Sequence, residues 1–422
     1  MVKKSTVLIG KGVRVASRLR GGGSALPGLA VEKIDKTFLK KALGTLPHGV
    51  IVISGTNGKT TTSKIVTELL ESQGFKVFSN STGSNFKRGV ISALISEMDL
   101  NGNLDADIAV LELDEAHAVH FVSEIKPRYS LLLNVMRDQL DRFGEIDVTA
   151  GMLQKIALAT KDTVVINRED ARLRKIADDL GDKKIKFFGI DPKLQENFPN
   201  DDEIYGVKKS DQPSVEAEVI LSDFKDSQAE IYIDNKPLAV NLKITGIYNI
   251  FNIAAALCLV KAVCEDDINL DALAKRLEDI TPAFGRGEVV HVDGQPLELV
   301  LVKNPAGFRL GLKSFNSSNV ETMIAINDNY ADGRDMSWLW DVDFTSLGHL
   351  VNTVSGIRAY DMALRLQYDD IHVDLVEPKL SKALNQFIES KPTKPKRIFC
   401  TYTAMLEFRQ LLRKKTDIER VL

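Results

Sequence analysis

A glycine-containing loop between a short apolar strand and a helix is the feature that most constrains the fold of this chain. Gly49–Ser54 (GVIVIS) predicts a buried strand, and residues 60–72 predict an amphipathic helix that ends before Gly74. The loop between them reads Gly55-Thr56-Asn57-Gly58-Lys59-Thr60. Glycines let main-chain N–H groups approach a phosphate, and a helix N-terminus favours negative charge. The loop therefore predicts a nucleotide-phosphate site.

The side chains of this loop suit the chemistry of ATP. Lys59 can reach the terminal phosphates, and the Thr60 hydroxyl can bind Mg²⁺. Ile53 stands where the strict pattern G-x-x-x-x-G-K-[ST] requires its first glycine. The strand–loop–helix context and the run Thr60-Thr61-Thr62 nevertheless favour a phosphate loop over a purely structural turn.

Short apolar strands alternate with helical segments up to about residue 180. Further strands are predicted at residues 75–78, 108–113, 129–135 and 162–167. This alternation is typical of an α/β fold with a parallel sheet covered on both faces. Residues 217–222 and 229–233 alternate in period two before the turn Asp234-Asn235, which predicts a small antiparallel appendage within 190–240. Residues 246–262 predict a helix that packs on the core.

A second α/β unit is predicted after a linker at residues 281–285 (TPAFG). Strands at 298–302 and 321–326 are expected to begin it. The predicted division is therefore an ATP-binding domain at 1–282 and a C-terminal, Rossmann-like domain at 283–422.

Composition and charge limit the classes of function. Fifty-five basic and 58 acidic residues give a net charge of −3, which argues against a nucleic-acid binder. No apolar run approaches the roughly 20 residues of a membrane span, and no signal-peptide pattern is present, so a cytoplasmic protein is expected. Cys258, Cys264 and Cys400 cannot supply the four thiolates of an all-cysteine zinc site, and buried thiols are expected instead.

The first 31 residues have a local basic character. They contain no acid and six basic residues, separated by apolar ones: Lys3, Lys4, Lys11, Arg14, Arg18 and Arg20. Such a stretch could touch an anionic membrane surface. A solvated amphipathic helix that covers the first domain is the alternative interpretation.

Carboxylates follow a predicted strand at the edge where open α/β sheets bind ligands. Glu112 lies near the end of strand 108–113, and Asp114 and Glu115 come next. Because Mg²⁺ prefers oxygen ligands, Glu112 is a candidate ligand together with Thr60. Glu115 is a second candidate, although a surface acid would explain it equally well.

The string GTNGKTTT resembles the ATP loop of the Mur ligase superfamily, whose members form an acyl phosphate from a carboxylate and ATP and then let an amine attack it. The resemblance implies that Glu112 is the metal-binding glutamate. Residues 134–144 (NVMRDQLDRFG) are similar to the superfamily pattern N-x-x-x-D-H-x-D-R. Gln139 replaces its metal-binding histidine, and its amide oxygen is expected to bind Mg²⁺ instead.

Two further segments resemble the same superfamily. Residues 246–252 (GIYNIFN) are similar to G-x-H-N-x-x-N, which implies that Asn249 contacts the adenine, whereas Asn252 is interpreted as a helix-packing residue. Arg286 lies in residues 284–288 (FGRGE). The resemblance implies that this arginine reaches the ATP phosphates on domain closure and neutralises developing charge.

Strings in the C-terminal half resemble one family, MurT, the synthetase subunits of lipid II isoglutaminyl synthase. They are KNPAGF at 303–308, NDNYADGRDMSWLWDVDF at 327–344, SGIRAYD at 355–361 and TYTAML at 401–406, with GSALPG at 23–28 upstream. The resemblance implies amidation of the D-glutamate α-carboxylate of lipid II, with ATP, Mg²⁺ and ammonia from a GatD glutaminase partner. The early position of the phosphate loop also leads us to expect no UDP-binding domain, and hence a lipid-linked or folyl substrate.

The acid-rich segment 328–343 is expected to face that partner. The resemblance implies that one of its aspartates orients the catalytic histidine of the glutaminase, with Asp335 the first candidate and Asp332 the second. Trp338 and Trp340 suggest a covered surface, although a solvated acidic loop explains part of the pattern. MurT proteins commonly carry a four-cysteine zinc ribbon, but residues 190–240 contain no cysteine, so none is expected.

Two other functions remain open. A folylpolyglutamate synthase-like ligase would share the phosphate loop, although the strings DGRD and SWLWDVDF argue against it. A nucleotide-binding interaction protein without ligase activity would not need Lys59, Thr60, Glu112 and Arg286 together.

Overall fold

The structure is a computed structural model, and it describes residues 2–19, 25–80, 86–136, 146–198, 215–225, 227–244, 246–281, 286–314, 320–390 and 394–416. The chain divides into two compact units. The first comprises residues 1–135, 147–244 and 249–280, and the second comprises residues 136–146, 245–248 and 281–422. The main division falls at the start of the predicted linker, of which residues 282–285 lie outside the described residues.

Nine described strands form the sheet of the first unit, in the order β2-β3-β1-β4-β5-β6-β7-β8-β9. The strands are β1 Gly49–Ser54, β2 Val77–Ser79, β3 Ile108–Glu112, β4 Tyr129–Leu132, β5 Thr163–Asn167, β6 Lys184–Ile190, β7 Val219–Lys225, β8 Gln228–Ile233 and β9 Lys236–Asn241. Strands β1 to β7 pair in parallel. The central strands β1, β3 and β5 are buried except for Gly49 at the start of β1, which explains their continuous apolar sequences.

Helices cover this sheet. They are α1 Lys4–Leu19, α2 Leu26–Ile34, α3 Phe38–Leu43, α4 Lys59–Ser72, α5 Lys87–Glu97, α6 Glu115–Glu124, α7 Ile146–Ala159, α8 Ala171–Asp178, α9 Ile247–Cys264 and α10 Leu270–Asp279. Helix α9, with the turn that follows it, is long and apolar enough to cross a membrane by length and composition alone, contrary to expectation. However, 72% of its most apolar window is buried inside the protein, which identifies a core helix.

The predicted antiparallel appendage is confirmed as strands β7, β8 and β9 at one edge of the main sheet. Asp234 and Asn235, between β8 and β9, have φ angles of 46° and 63°, the left-handed values that a tight hairpin turn requires. Strands β6 and β9 were not predicted from the sequence. Strand β6 is exposed or half-buried over its first four residues and β9 over most of its length, so neither shows a long apolar run.

The N-terminal basic stretch forms α1, and this helix packs closely on α2 and α5. A Cβ atom at Gly10 would lie 2.9 Å from Val31 Cγ2 and 3.0 Å from Ile95 Cδ1. A Cβ atom at Gly28 of α2 would clash with the carbonyl oxygen of Arg88 in α5. The small residues therefore allow the three helices to approach.

The second unit contains a six-stranded sheet among its described residues, in the order β10-β11-β15-β12-β13-β14. Its strands are β10 Arg286–Val292, β11 Gln295–Leu301, β12 Glu321–Ala325, β13 Leu350–Ser355, β14 His372–Glu377 and β15 Lys396–Cys400. Its helices are α11 Pro305–Ser314, α12 Ala359–Tyr368, α13 Leu380–Glu389 and α14 Tyr402–Leu412. The strand predicted at 298–302 corresponds to β11, but an unpredicted strand, β10, precedes it and forms an antiparallel hairpin with it around Asp293-Gly294.

The three cysteines are free thiols in hydrophobic surroundings. Cys258 and Cys400 are buried and Cys264 is partly buried, as expected for two of the three. Burial raises the pKa of all three thiols, that of Cys264 to about 11. They remain protonated and unreactive at neutral pH.

Candidate active site

The predicted phosphate loop lies at the carboxyl end of β1 and leads directly into α4. Helix α4 begins at Lys59, with Gly58 as its N-terminal cap residue at a φ of +87°. Gly55 has a φ of +136°. Side chains other than glycine are strained at these angles, so both glycines are required by the backbone. The loop therefore has the strand–turn–helix geometry that presents main-chain N–H groups to an anion.

Asn134 holds this loop in place from the end of the neighbouring strand β4. Its side-chain oxygen accepts a hydrogen bond from Asn57 N at 2.9 Å, and its amide nitrogen donates to Asn57 O at 3.0 Å. Its main-chain oxygen accepts from Thr56 N at 3.1 Å. Asn134 begins the segment 134–144 that resembles the superfamily pattern, but its role could not be predicted from the sequence, because these contacts join residues 77 positions apart.

Lys59 is almost completely buried, with 7% of its surface exposed. Its ammonium donates to the carbonyl oxygens of Gly55 at 2.5 Å and Thr56 at 3.2 Å, and it lies 3.5 Å from Glu115 Oε2. Glu115, only 2% exposed, is therefore the partner of Lys59 rather than a surface acid. The cation is thus held at the loop, where it could bind phosphate oxygens.

Thr60 and Glu112, the two candidate Mg²⁺ ligands, lie in contact with each other beside Lys59. The Thr60 hydroxyl donates to Glu112 Oε1 at 2.8 Å. Asn80 is buried and directly follows β2. Its side chain donates a hydrogen bond to Glu112 O and accepts one from Glu112 N, both at 2.9 Å. The backbone of Glu112 is therefore fixed, and its carboxylate points toward the phosphate loop. Asn80 was not predicted from the sequence.

The Thr60 hydroxyl and the Glu112 carboxylate suit Mg²⁺ better than they suit a metal ion whose ligands all come from the protein. Among the described residues, no group of three or more His, Cys, Asp or Glu side chains could hold a metal ion. Mg²⁺ is usually held by one or two protein ligands together with phosphate oxygens and water, which one hydroxyl and one carboxylate can support. Gln139, predicted as a further ligand, lies outside the described residues.

Helix α9 contacts the loop through Asn252. A Cβ atom on Gly58 would lie 2.6 Å from Asn252 Oδ1, so Asn252 packs directly against the loop. Asn249 precedes it by three residues in the same helix and therefore lies on the same helical face. The predicted contact of Asn249 with the adenine remains a prediction. Thr61, the remaining loop residue of the prediction, is buried at the start of α4.

Asp170 supports the same sheet edge from β5 and α8. Its carboxylate accepts hydrogen bonds from Val135 N at 2.7 Å and from the main-chain nitrogens of Arg172 and Leu173 at the start of α8. Burial raises the pKa of this carboxyl group above its ordinary value, despite those hydrogen bonds. Asp170 thus fixes the backbone just beyond Asn134.

Arg286 is the first residue of β10, in the second unit. Its backbone is described, whereas its side chain lies outside the described residues. Its predicted contact with ATP phosphates therefore remains a prediction.

The two candidate aspartates of the acid-rich segment, Asp332 and Asp335, differ in burial and in hydrogen bonding. Asp332 is 4% exposed, and its oxygens accept hydrogen bonds from Thr403 N at 2.7 Å, Thr403 Oγ1 at 2.5 Å and Asn329 N at 3.1 Å. Asp335 is half-buried and accepts one hydrogen bond, from Ser337 N at 2.9 Å, through Oδ1. Asp332 therefore closes a loop against α14, whereas Asp335 is more accessible.

The two tryptophans of this segment also differ. Trp338 is 3% exposed and packs against Phe308 in the core, so its expected place on a covered surface was wrong. Trp340 is 50% exposed and packs edge-on against Tyr368, which is also exposed. Trp340 thus forms part of an exposed aromatic surface.

Fold and site together define a class. A phosphate loop between a parallel strand and a helix, with a buried lysine, a threonine and a glutamate around it, is typical of a nucleotide-binding ATPase-type domain. A second α/β unit follows it in the chain.

Comparisons with known proteins narrow this class to a family. Residues 53–260 match the Mur ligase middle domain, and residues 301–405 match the MurT ligase C-terminal domain. The lipid II isoglutaminyl synthase (glutamine-hydrolyzing) subunit MurT of Streptococcus pneumoniae is 28% identical over 96% of this chain and 96% of its own length. The two family matches, in this order and over most of the chain, make it similar to the MurT proteins of the Mur ligase family.

Solved structures agree with this fold. A pseudomurein peptide ligase type C from Methanothermus fervidus has a TM-score of 0.68 at 17% identity, covering 90% of this chain and 80% of that one. The MurF ligase from Thermotoga maritima, solved in complex with ADP, has a TM-score of 0.66 at 19% identity, covering 90% of this chain and 84% of that one. At these identities the likeness establishes the Mur ligase fold, as the resemblance implied.

Proposed function

We propose that this chain is the synthetase subunit of a lipid II isoglutaminyl synthase, which converts the D-glutamate of lipid II to D-isoglutamine. The observation that carries the proposal is its near full-length similarity to a MurT subunit with that activity in its name. The match of residues 301–405 to the MurT C-terminal domain supports the same assignment over a folylpolyglutamate synthase. The arrangement of Lys59, Thr60 and Glu112 supports a catalytically competent ligase.

The proposed reaction has two steps. An oxygen of the D-glutamate α-carboxylate attacks the γ-phosphorus of ATP, the bond between that phosphorus and the β-phosphate oxygen breaks, and ADP leaves. Ammonia then attacks the carboxyl carbon of the acyl phosphate, the carbon–oxygen bond to phosphate breaks, and a proton is lost. Binding that excludes water favours amide formation, because water would otherwise hydrolyse the acyl phosphate.

Residues of the loop have distinct roles in this proposal. Lys59 binds the terminal phosphates, and the main-chain N–H groups of Gly55–Thr60, a cradle fixed by Asn134, bind phosphate oxygens. Thr60 and Glu112 would hold Mg²⁺, which when bound neutralises phosphate charge. Asn249 is proposed to contact the adenine, and Arg286 to neutralise charge that develops during phosphoryl transfer. Gln139 is proposed as an additional Mg²⁺ ligand.

Ammonia is proposed to come from glutamine through a GatD-type glutaminase partner. The phrase "glutamine-hydrolyzing" and the word "subunit" in the name of the MurT relative support a partner of this kind. Asp335 is proposed to orient the catalytic histidine of the partner, because its carboxylate is accessible and Asp332 is already bound to Thr403 and Asn329. Exposed aromatic residues near this segment, Tyr330, Trp340 and Tyr368, provide a surface suited to a protein partner.

The decisive experiment is amidation of lipid II by the chain co-expressed with a GatD-type glutaminase, followed by mass spectrometry of the muropeptide. We expect a product lighter by about 1 Da, from OH replaced by NH₂, that depends on ATP and on either glutamine or ammonium salt. ADP formation that required a folate and ignored lipid II would overturn the assignment.

Asp335→Asn tests the partner step separately. We expect glutamine-dependent amidation to fall about a hundredfold while ammonium-dependent amidation is retained, since only the glutaminase is impaired. Asp343→Asn is the matched control, because Asp343 also accepts a hydrogen bond from the main-chain nitrogen two residues later. Equal loss with both nitrogen sources would contradict the proposed role of Asp335.

A further inference from the structure

Helix α1 has two different faces, only one of which packs on the protein. Thr6, Val7, Gly10 and Ser17 are buried, and Gly10 lies against Val31 and Ile95. The opposite face is exposed along the helix: Lys4 and Ser5 lie in its first turn, and the exposed residues after them are small or apolar, namely Leu8, Ile9, Gly12, Val15, Ala16 and Leu19.

The exposure of this second face is large. Leu8, Val15 and Leu19 are 53%, 60% and 83% exposed, respectively. At 100° per residue these three side chains point within about 40° of one another on the helix. These three side chains form an apolar stripe, which we call the outer stripe of α1, and Ile9, 45% exposed, lies beside it on the same exposed side of the helix. An apolar stripe of this kind indicates an interaction surface, since isolated exposed apolar residues would be scattered.

Basic residues border the outer stripe. Lys4 is exposed and Lys11 is partly exposed, and both lie on the side of the helix adjacent to Val15 and Leu8. Residues 1–31 contain no acid, so the nearest acid in sequence is Glu32, which is paired with Lys87 and Arg88. An apolar stripe bordered by lysines matches an anionic lipid surface, into which apolar side chains insert while lysines reach the headgroups.

From this charge and shape we infer that α1 binds in the plane of an anionic membrane surface, anchored to the protein through its Gly10 face. The inference does not depend on the proposed reaction, because it concerns lipid headgroups and acyl chains rather than a substrate. Such binding would hold the first unit at the membrane surface without involving the phosphate loop. The loop lies at the carboxyl end of β1 and is formed by other elements.

Vesicle flotation tests the inference with the full chain and no lipid-linked substrate. We expect binding to vesicles of phosphatidylglycerol and phosphatidylcholine in equal parts, weakened at high salt, and at least about tenfold weaker binding to phosphatidylcholine alone. Leu8→Ser/Val15→Ser/Leu19→Ser should weaken binding by about tenfold or more, because it removes the apolar insertion. Lys4→Gln/Lys11→Gln should weaken it by about fivefold for each lysine.

A matched control is available in the same unit. Leu100, Val148 and Leu158 are also exposed but lie outside α1, and replacing all three with serine should leave vesicle binding unchanged. The thermal unfolding temperature of each triple variant should match that of the unchanged chain, since the replaced side chains are exposed. Absence of binding, or equal binding to neutral and anionic vesicles, would overturn the inference. A wild-type dimer that the Leu8, Val15 and Leu19 replacements convert to a monomer without any vesicle binding would also overturn it, in favour of a second copy of the chain.

Discussion

In both units, buried polar residues lie at the carboxyl ends of parallel strands, but the two sets serve different purposes. At the first sheet, Asn134 and Asn80 bind main-chain atoms and thereby aim the functional groups of Lys59 and Glu112 at the loop. At the second sheet, the acid itself has the structural role, because the Asp332 carboxylate accepts hydrogen bonds from Thr403 and Asn329. An acid at the end of a strand therefore indicates a ligand-binding role only where other residues hold the backbone in place, so that its carboxylate can face a ligand.

Lys59→Ala should have the largest effect on activity. We expect ATP-dependent amidation to fall about a thousandfold, because the substitution removes the buried ammonium group that lies against the phosphate loop. Since Glu115 loses its partner at 3.5 Å, some loss of stability should accompany it. Lys59→Arg keeps a positive charge near Glu115 and should also be inactive, because a planar guanidinium cannot replace the ammonium geometry. Steady-state amidation and thermal unfolding measure the two effects, and full activity in either variant would contradict the assigned role.

Glu112→Gln should have the next largest effect. Its amide can still interact with the Thr60 hydroxyl, so we expect the fold to persist while amidation falls about a hundredfold. The concentration of Mg²⁺ needed for half-maximal activity should rise, because a carboxylate ligand is replaced by a neutral one. A Mg²⁺ titration of amidation measures this shift. An unchanged Mg²⁺ requirement would remove Glu112 from the metal site.

Asp332→Asn should behave in the opposite way. An amide cannot accept every hydrogen bond from Thr403 and Asn329, so the free energy of unfolding should fall by about 2–3 kcal/mol. Ammonium-dependent amidation by the protein that remains folded should be retained. Urea unfolding with a parallel activity assay checks this, and an inactive variant of normal stability would instead assign Asp332 to the chemistry.

Arg358→Gln should have the smallest effect. Arg358 donates to Asp328 at 2.9 Å and lies 3.4 Å from Asp361, but the arginine is 37% exposed to solvent. Water screens such a pair, so we expect a loss of no more than about 1 kcal/mol in the free energy of unfolding. Urea unfolding at low and high salt should show the difference shrinking as salt rises. A much larger loss would mean that this ion pair holds the second sheet edge as firmly as Asp332 does.

Much of the first sheet could be predicted because its signals are local. Strand β1 begins and ends where its apolar run does, and the Asp234-Asn235 turn is specified by two adjacent residues. Strand β10 and its pairing with β11 were not predicted, because β10 lies directly beside a linker-like sequence. Trp338 was misplaced for a related reason, since a tryptophan pattern alone does not distinguish a core residue from a surface one.

The phosphate loop, its strand and its helix could be predicted from the sequence, because they follow from contiguous residues with strong local preferences. Which distant residues surround the loop depends instead on the tertiary structure. Asn134 is 77 positions from Asn57, and Asp332 is 71 positions from Thr403. Pairings of that kind depend on how the strands are ordered in each sheet. The exposed apolar side of α1 was likewise decided by which face packs on α2 and α5.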